Sequence, residues 1–271
     1  MKYIREYQVF EASVTAAALT PEQIEWLDKC ADGEWKLNRQ TGLVDIINGN
    51  FWCREQRLID FKGVKFGKVS GGFYCSDNQL TTLVGAPQEV GGYFYCQDNQ
   101  LTSLVGAPQS VGRDFYCENN QLTTLEGAPQ SVGGNFDCYK NQLTSLVGAP
   151  KTIKGDFHCN NNQLTTLVGA PHSFSGSFYC ENNQLTTLVG APHSFSGSFY
   201  CDGNTVTKST LKAIFALMKK GKGYEQALEE HWPKMGDVDR VLMYKEMPNL
   251  SPEETRKYKA LATYNNIKDY L

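Results

Sequence analysis

The sequence predicts an α/β solenoid with a short-stranded parallel sheet, an N-terminal α/β cap and a C-terminal helical cap. The first observation is a phrase that recurs about eight times over residues 50–206, in which cysteines stand 21 residues apart from Cys75 to Cys201. The second is that the copies place apolar residues at the same positions. A fixed period in the twenties is typical of solenoids, because one repeat cannot bury its apolar side chains without stacked neighbours.

Residues 1–49 precede the repeats and are expected to form the N-terminal cap. Residues 20–23 (Thr-Pro-Glu-Gln) place a capping threonine before a proline at the first helical position and a glutamine at the third, which indicates the start of a helix. Residues 35–37 and 43–47 are expected to be strands on either side of a turn.

Each repeat is expected to contain one short strand and an irregular return segment. Phenylalanine and cysteine stand two residues apart in the phrase F-x-C, which places both on the buried side of a strand and the residue between them on the outer side. A Gly-Ala-Pro step excludes a regular helix from the return segment. An asparagine lies just past each strand, where its amide is expected to satisfy backbone groups of the turn. The apolar columns run from Phe73 to Phe199, from Leu80 to Leu185, from Leu83 to Leu188 and from Val69 to Phe195.

Eight of the nine cysteines occupy the same position of the repeat, from Cys53 to Cys201. In a reducing cytoplasm we expect them to be buried thiols, since free cysteine behaves as a small hydrophobic residue. The alternative is a ladder of disulfides, because strands about 4.8 Å apart bring the cysteine Cα atoms within bridging distance. No metal site or cofactor is expected, because there is no C-x-x-C pair and the histidines form no ligand cluster.

Residues 207–271 leave the repeat pattern and are expected to form the C-terminal helical cap. Residues 251–254 (Ser-Pro-Glu-Glu) form a capping box, which indicates the start of the last helix. The expected role of this segment is to seal the final repeat. The alternative is that it also holds a binding site of its own, since it is basic in a chain whose net charge is −3.

The phrase N-x-L-x-x-L-x-x-x-P, followed by a strand before the next asparagine, resembles the short leucine-rich repeats of secreted effectors from enteric pathogens. The variant G-A-P-Q-x-V-G-G resembles leucine-rich-repeat proteins found in bacteriophage genomes. In this chain phenylalanine and cysteine replace the usual leucines of the strand, and one residue is added before it. The resemblance covers about residues 50–206 and implies a right-handed, leucine-rich-repeat-like coil that binds proteins.

One outward side chain lies between the phenylalanine and the cysteine of every repeat, and six of these eight residues are aromatic. With the acidic residues beside them, they predict an aromatic concave face with acidic edges. Tyrosine and tryptophan are frequent at the centres of protein interfaces. Tyrosines stacked in register also stabilise a sheet, and the two roles are compatible. The candidate partner-binding residues are Trp52, Tyr74, Tyr95, Tyr116, Asp137, His158, Tyr179 and Tyr200 in the column, and Asp114, Glu118, Asp156 and Glu181 beside it.

Catalysis is not expected at this face. His158 is predicted to lie near Asp137 and Asp156, as a general acid–base pair would. No serine or cysteine nucleophile faces them, however, because Cys159 is expected to point to the opposite side of the strand. Some effectors of the resembling type carry a C-terminal ubiquitin-ligase domain with a catalytic cysteine, and residues 207–271 contain no cysteine. We therefore expect no catalytic residues.

Composition narrows the class of partner. Acidic side chains on the predicted face would repel phosphate, so nucleic acid is not expected as a partner.

The sequence also bears on location. No stretch approaches the roughly 18 apolar residues of a membrane span, and residues 1–10 lack the apolar middle of a signal peptide. We therefore expect a cytoplasmic protein of a bacterial or phage-infected cell. The expected function is that of a phage or bacterial effector or inhibitor that sequesters a host protein with a basic surface. The alternative is a glycan-binding or virion-associated adhesin.

Overall fold

The computed structural model of the protein describes residues 18–171, 174–186, 188, 190–192 and 195–205. Over these residues the repeats stack into a solenoid whose turns are joined by two sheets of short strands. The first, which we call the aromatic sheet, takes one two-residue strand from each repeat, and equivalent residues pair in parallel. Its strands are β3 (Phe51–Trp52), β5 (Phe73–Tyr74), β7 (Phe94–Tyr95), β9 (Phe115–Tyr116), β11 (Phe136–Asp137), β13 (Phe157–His158), β14 (Phe178–Tyr179) and β15 (Phe199–Tyr200). The predicted repeat architecture is therefore confirmed.

A second sheet, the valine sheet, runs along the return side, where the sequence predicted irregular segments. Its first two strands form an antiparallel hairpin, and the others pair in parallel from turn to turn. Its strands are β1 (Glu34–Leu37), β2 (Val44–Ile47), β4 (Phe66–Val69), β6 (Glu89–Val90), β8 (Ser110–Val111), β10 (Ser131–Val132) and β12 (Thr152–Ile153). Because strands line both sides of the core, the solenoid is mostly β rather than α/β, and the predicted irregular return segment is wrong over these turns.

Helix α1 (Pro21–Cys30) lies before the first repeat. It begins at the predicted capping box, in which the Thr20 side chain accepts the Gln23 N–H and the Gln23 side chain accepts the Thr20 N–H. The indole of Trp26 packs edge-on against Phe51 with ring centroids 5.1 Å apart. The helix therefore covers the first turn of the solenoid with apolar side chains.

Part of the predicted N-terminal cap and the whole of the predicted C-terminal cap lie outside the described residues. These are residues 1–17 of the N-terminal segment and all of residues 207–271. The two caps and the domain boundaries drawn from them stay predictions. Where the chain is described, no helix is long and apolar enough to cross a membrane.

Stacked phenylalanines and cysteines fill the centre of the solenoid. The phenyl rings from Phe51 to Phe178 are fully buried, and the centroids of successive rings lie 5.2–5.6 Å apart. The eight repeat cysteines lie beside them and are at most 4% exposed. The predicted inward orientation of both residue types is confirmed. Each ring after Phe51 contacts a phenylalanine ring in the turn before and in the turn after, so apolar burial is shared between neighbouring turns.

Native protein is expected to react slowly with a thiol reagent. All nine cysteines are buried, and burial raises the pKa of the thiols from Cys75 to Cys180, so few thiolates are accessible at neutral pH. Titration with an aromatic disulfide reagent should label few cysteines in native protein and nearly all nine in denatured protein. Rapid labelling of most cysteines in the native state would contradict the strand register.

A ladder of asparagines, buried from Asn78 to Asn183, joins each turn to the one before it. The Asn120 side chain accepts the backbone N–H of Leu101 at 2.9 Å and donates to the carbonyl of Cys96 at 3.0 Å, both in the preceding turn. It also donates to the carbonyl of Cys117 in its own turn at 3.1 Å. The same pattern recurs at Asn78, Asn99, Asn120, Asn141, Asn162, Asn183 and Asn204. Sequence reasoning predicted the contact within the turn and missed the contact between turns.

The glycine of each Gly-Ala-Pro step lies where two successive turns approach closely. These glycines have φ between +82° and +96°, a conformation that L side chains rarely adopt. A Cβ atom on Gly127 would lie 2.5 Å from the backbone carbonyl carbon and oxygen of Leu104 in the turn before. Glycine is therefore required at this position both by the backbone conformation and by the spacing of the turns.

Candidate binding face

The outward residues of the aromatic sheet form one continuous column. Parallel pairing sets Trp52 beside Tyr74, and the pairing continues turn by turn to Tyr200. We call this column the aromatic face. The structure thus brings together all eight column residues that the sequence predicted. Their order along the axis is Trp52, Tyr74, Tyr95, Tyr116, Asp137, His158, Tyr179 and Tyr200.

The first four residues of the aromatic face form an unbroken row of rings. The indole of Trp52 stacks on Tyr74 with centroids 3.9 Å apart and planes 4° from parallel. Tyr74 meets Tyr95 edge-on at 5.1 Å, and Tyr95 stacks on Tyr116 at 4.6 Å. Each ring contacts its neighbours above an in-register backbone ladder, which limits the rotamers that the ring can adopt.

Exposure along the column is uneven, which corrects the expectation that all of these side chains face solvent. Trp52 and Tyr200 are 41% and 40% exposed, whereas Tyr74 is only 9% exposed. The ring of Tyr74 lies over Gly72, where an added Cβ would be 2.6 Å from it, and its other neighbours are Trp52 and Tyr95. Tyr74 therefore supports the row more than it presents surface.

Three residues that sequence reasoning missed extend the first part of the face. Asp32 accepts a hydrogen bond from Nε1 of Trp52 at 2.9 Å and fixes the exposed indole. The ring of Tyr93 meets Tyr95 at 5.6 Å, and the guanidinium of Arg113 lies 5.5 Å above Tyr93. The two-residue spacing from Tyr95 places Tyr93 on the same side of the strand, and this signal could have found it.

A polar pair interrupts the rings in the middle of the column. Asp137, 9% exposed, hydrogen-bonds through Oδ1 to Nδ1 of His158 in the next turn. The imidazole also packs against Tyr179 with ring centroids 4.3 Å apart, and Tyr179 stacks on Tyr200 at 4.7 Å. The aromatic face is therefore two ring clusters separated by one carboxylate–imidazole pair.

The environment of His158 favours its protonated form. Burial alone would disfavour the imidazolium, but the hydrogen bond and the charge of Asp137 outweigh it, with further contributions from Asp156 and Glu181. The net result is that the pKa of His158 is raised above its ordinary value. The pair is therefore an ion pair at mildly acidic pH.

Asp114 and Asp156 were predicted as acidic edges, and the structure gives both a role in joining the turns. Asp114 accepts the backbone N–H of Asn135 in the next turn at 2.8 Å and the hydroxyl of Tyr116 at 3.3 Å. Asp156 accepts the backbone N–H of Ser177 at 2.7 Å. Each carboxylate accepts a backbone N–H of the next turn, as a backbone carbonyl would. Less of its hydrogen-bonding capacity is therefore left for a partner.

Glu118 and Glu181 lie just after the aromatic sheet and are only partly exposed. In each, Oε2 is buried and has no hydrogen-bond partner within the described residues. Burial, with the charges of Asp137 and Asp98 nearby, raises the pKa of Glu118 to about 7. Burial and Asp202 raise the pKa of Glu181. These two carboxyl groups add negative charge beside the column as the pH rises.

The groups that this face presents are aromatic rings and carboxyl groups. Cys138 and Cys159 follow the Asp137 and His158 strand positions, but both thiols point into the core and burial raises their pKa. Within the described residues no group of three or more side chains is arranged to hold a metal ion. Comparison of the chain with protein-family models and with curated proteins gives no match.

Proposed function

We propose that the protein is a non-catalytic binding protein whose aromatic face holds a protein partner with a basic surface. The observation that carries the proposal is the row of four rings in contact from Trp52 to Tyr116, stacked at both ends and edge-on in the middle. Rings that are already ordered lose little conformational entropy on binding, which is why tyrosine and tryptophan dominate interface hot spots.

Charge supports a basic partner. Asp137 lies within the column, and the half-buried carboxyl groups of Glu118 and Glu181 stand beside it. A cationic side chain of a partner would gain both ring contacts and carboxylate contacts at this place. The effector or inhibitor role, the leucine-rich-repeat type and a cytoplasmic location rest on the resemblance of the repeat phrase and on composition, and belong to the same proposal.

A glycan is the second candidate ligand. The indole of Trp52 is 41% exposed, lies flat on Tyr74 and is fixed by Asp32, which leaves one apolar ring face beside a carboxylate. A sugar ring fits such a surface, with its C–H groups on the indole and its hydroxyls on the acid. Capture of the ligand from lysate, before and after protease treatment of the lysate, distinguishes the two classes. A protein partner should be lost after the treatment, and a free glycan should still be captured.

Loss of rings from the face is expected to weaken partner binding. Tyr95→Ala and Tyr116→Ala should each lower affinity by about 2 kcal/mol, or roughly 30-fold, as central aromatic residues do. Stability should fall less, by about 0.5–1.5 kcal/mol, because the rings are half-buried and lose mainly their contacts with neighbouring rings. The measurement is isothermal titration calorimetry with the purified captured partner, beside denaturant unfolding of each variant.

The control for this experiment is Thr102→Ala, an exposed change outside the aromatic sheet that should leave affinity unchanged. A partner that is indifferent to both tyrosine variants, but sensitive to Lys219→Glu or Arg256→Glu, would move the binding site to the basic C-terminal segment. That result would refute binding through the aromatic face.

A further inference from the structure

We propose that Asp137 is the acceptor for an arginine or lysine side chain of the partner, and that His158 acts as an internal competitor for the same carboxylate. The inference rests on the proposed function and adds the regulation of its central contact by pH. It assigns a single position on the aromatic face to the partner's cation.

The position of Asp137 carries the argument. Parallel pairing places it directly between Tyr116 and His158, where the stacked rings stop. A cation bound there would contact the carboxylate and the ring of Tyr116, which is a favourable combination of ion pairing and cation–π attraction. Elsewhere in the column the outward residues are rings, so this is the place where the face itself offers a charge.

In the structure, the imidazole of His158 is hydrogen-bonded to the carboxylate of Asp137. Within the described residues, the imidazole is the one hydrogen-bond partner that the Asp137 side chain has. The side chains of His158 and Asp137 are 22% and 13% exposed, so the pair lies at the surface, and a second cation would have to displace the imidazole from Asp137. When protonated, the imidazolium offers the same charge and N–H donor as an arginine or lysine of the partner, and the two compete.

The other charged groups around the pair act in the same direction. Asp156 precedes the strand of His158, Glu181 follows the neighbouring strand, and both stabilise the imidazolium. Glu118 lies on the other side of Asp137 and has a pKa of about 7. At low pH the histidine is charged and Glu118 is neutral, so the surroundings of Asp137 carry less negative charge than at high pH.

The sign of the pH dependence follows. As pH rises through the raised pKa of His158, the imidazolium loses its proton, and its attraction to the carboxylate of Asp137 weakens. Around its own pKa of about 7, Glu118 becomes ionised and adds a negative charge beside the pair. Both changes favour an external cation, so affinity for a cationic ligand is expected to increase between about pH 6 and pH 8.

The first test follows the histidine in the free protein. A pH titration of the imidazole signals by NMR, with the His158 signal assigned by its loss in His158→Asn, is expected to give a pKa above that of an ordinary histidine. Asp137→Asn keeps the shape of the side chain and should lower that pKa. A normal or lowered pKa in the wild type, or no change in Asp137→Asn, would overturn the proposal.

The second test uses a fluorescent hexa-arginine peptide as the cation, with anisotropy measured at low salt at pH 6 and pH 8. Wild-type protein should bind about fivefold more tightly at pH 8, as expected for one partly screened ion pair. His158→Asn should bind at pH 6 nearly as tightly as at pH 8, keeping only the smaller change due to Glu118. Asp137→Asn should bind weakly at both values.

Asp77→Asn is the matched control, because it removes one exposed carboxylate from another column and should keep the wild-type pH dependence. Equal peptide binding at pH 6 and pH 8 in the wild type, or equal loss in Asp77→Asn and Asp137→Asn, would refute the assignment. Absence of peptide binding at both pH values would refute it too. None of these three results would contradict partner binding through the rings, which the tyrosine variants test separately.

Discussion

Replacing Asn120 with alanine is expected to lower the free energy of unfolding by about 3–5 kcal/mol, because several buried hydrogen bonds are lost together. The Asn120 side chain serves the N–H of Leu101 and the carbonyls of Cys96 and Cys117. Alanine would leave these backbone groups without a partner in a place where Asn120 itself is only 8% exposed. The measurement is unfolding in guanidinium chloride followed by circular dichroism.

The control for this variant is Gln121→Ala, the next residue along the chain, whose side chain is exposed. It should change stability by less than about 0.5 kcal/mol, as surface substitutions usually do. If Asn120→Ala were as mild as its control, the asparagine ladder would be a consequence of stacking rather than a cause of it.

Gly127→Ala is expected to be at least as damaging, at about 4 kcal/mol or more. The substitution places a Cβ atom 2.5 Å from the carbonyl group of Leu104, so the backbone of one of two adjoining turns must move. It also forces alanine into a conformation with φ of +85°, which costs about 1–2 kcal/mol by itself. Thermal and denaturant unfolding of the purified variant would measure the loss.

Gly63→Ala separates the two contributions. Gly63 occupies the same turn of the first repeat with φ of +74°, but a Cβ there would only meet Nε2 of Gln23 at 3.4 Å. It should therefore cost about 1–2 kcal/mol, which is the conformational part alone. Equal losses at Gly63 and Gly127 would mean that the close approach of the turns contributes nothing.

The aromatic sheet could be predicted from the sequence because F-x-C alternates with period two and recurs at a fixed spacing. The valine sheet could not, since each of its strands after β4 has only two residues, such as Ser110–Val111. Glycine follows most of these strands, so no alternation extends beyond the single buried valine. These two residues form a strand because they pair with the equivalent residues of the neighbouring turns. The residues of a single repeat give no sign of that pairing.

The sequence predicted which residues form the candidate face, but it did not predict how exposed each side chain is or which groups it bonds to. The side chain of Tyr74 is covered because Gly72 leaves room for its ring and because rings stand on both sides of it. Asp114 serves the backbone N–H of Asn135, which lies 21 residues further along. Both facts depend on the neighbouring turn and on side-chain rotamers. A column position read from the sequence therefore identifies the neighbours of a residue, and leaves its exposure open.

The direction of the hydrogen bonds between turns has a mechanical consequence. In both sheets and in the asparagine ladder these bonds point along the solenoid axis. Tension along that axis would pull every interface between turns in line with its bonds, and the weakest interface would yield first. Turns would then peel away one by one, each releasing 21 residues of slack chain. Tension across the axis would instead be shared by many turns at once, so the same molecule is extensible in one direction and stiff in the other.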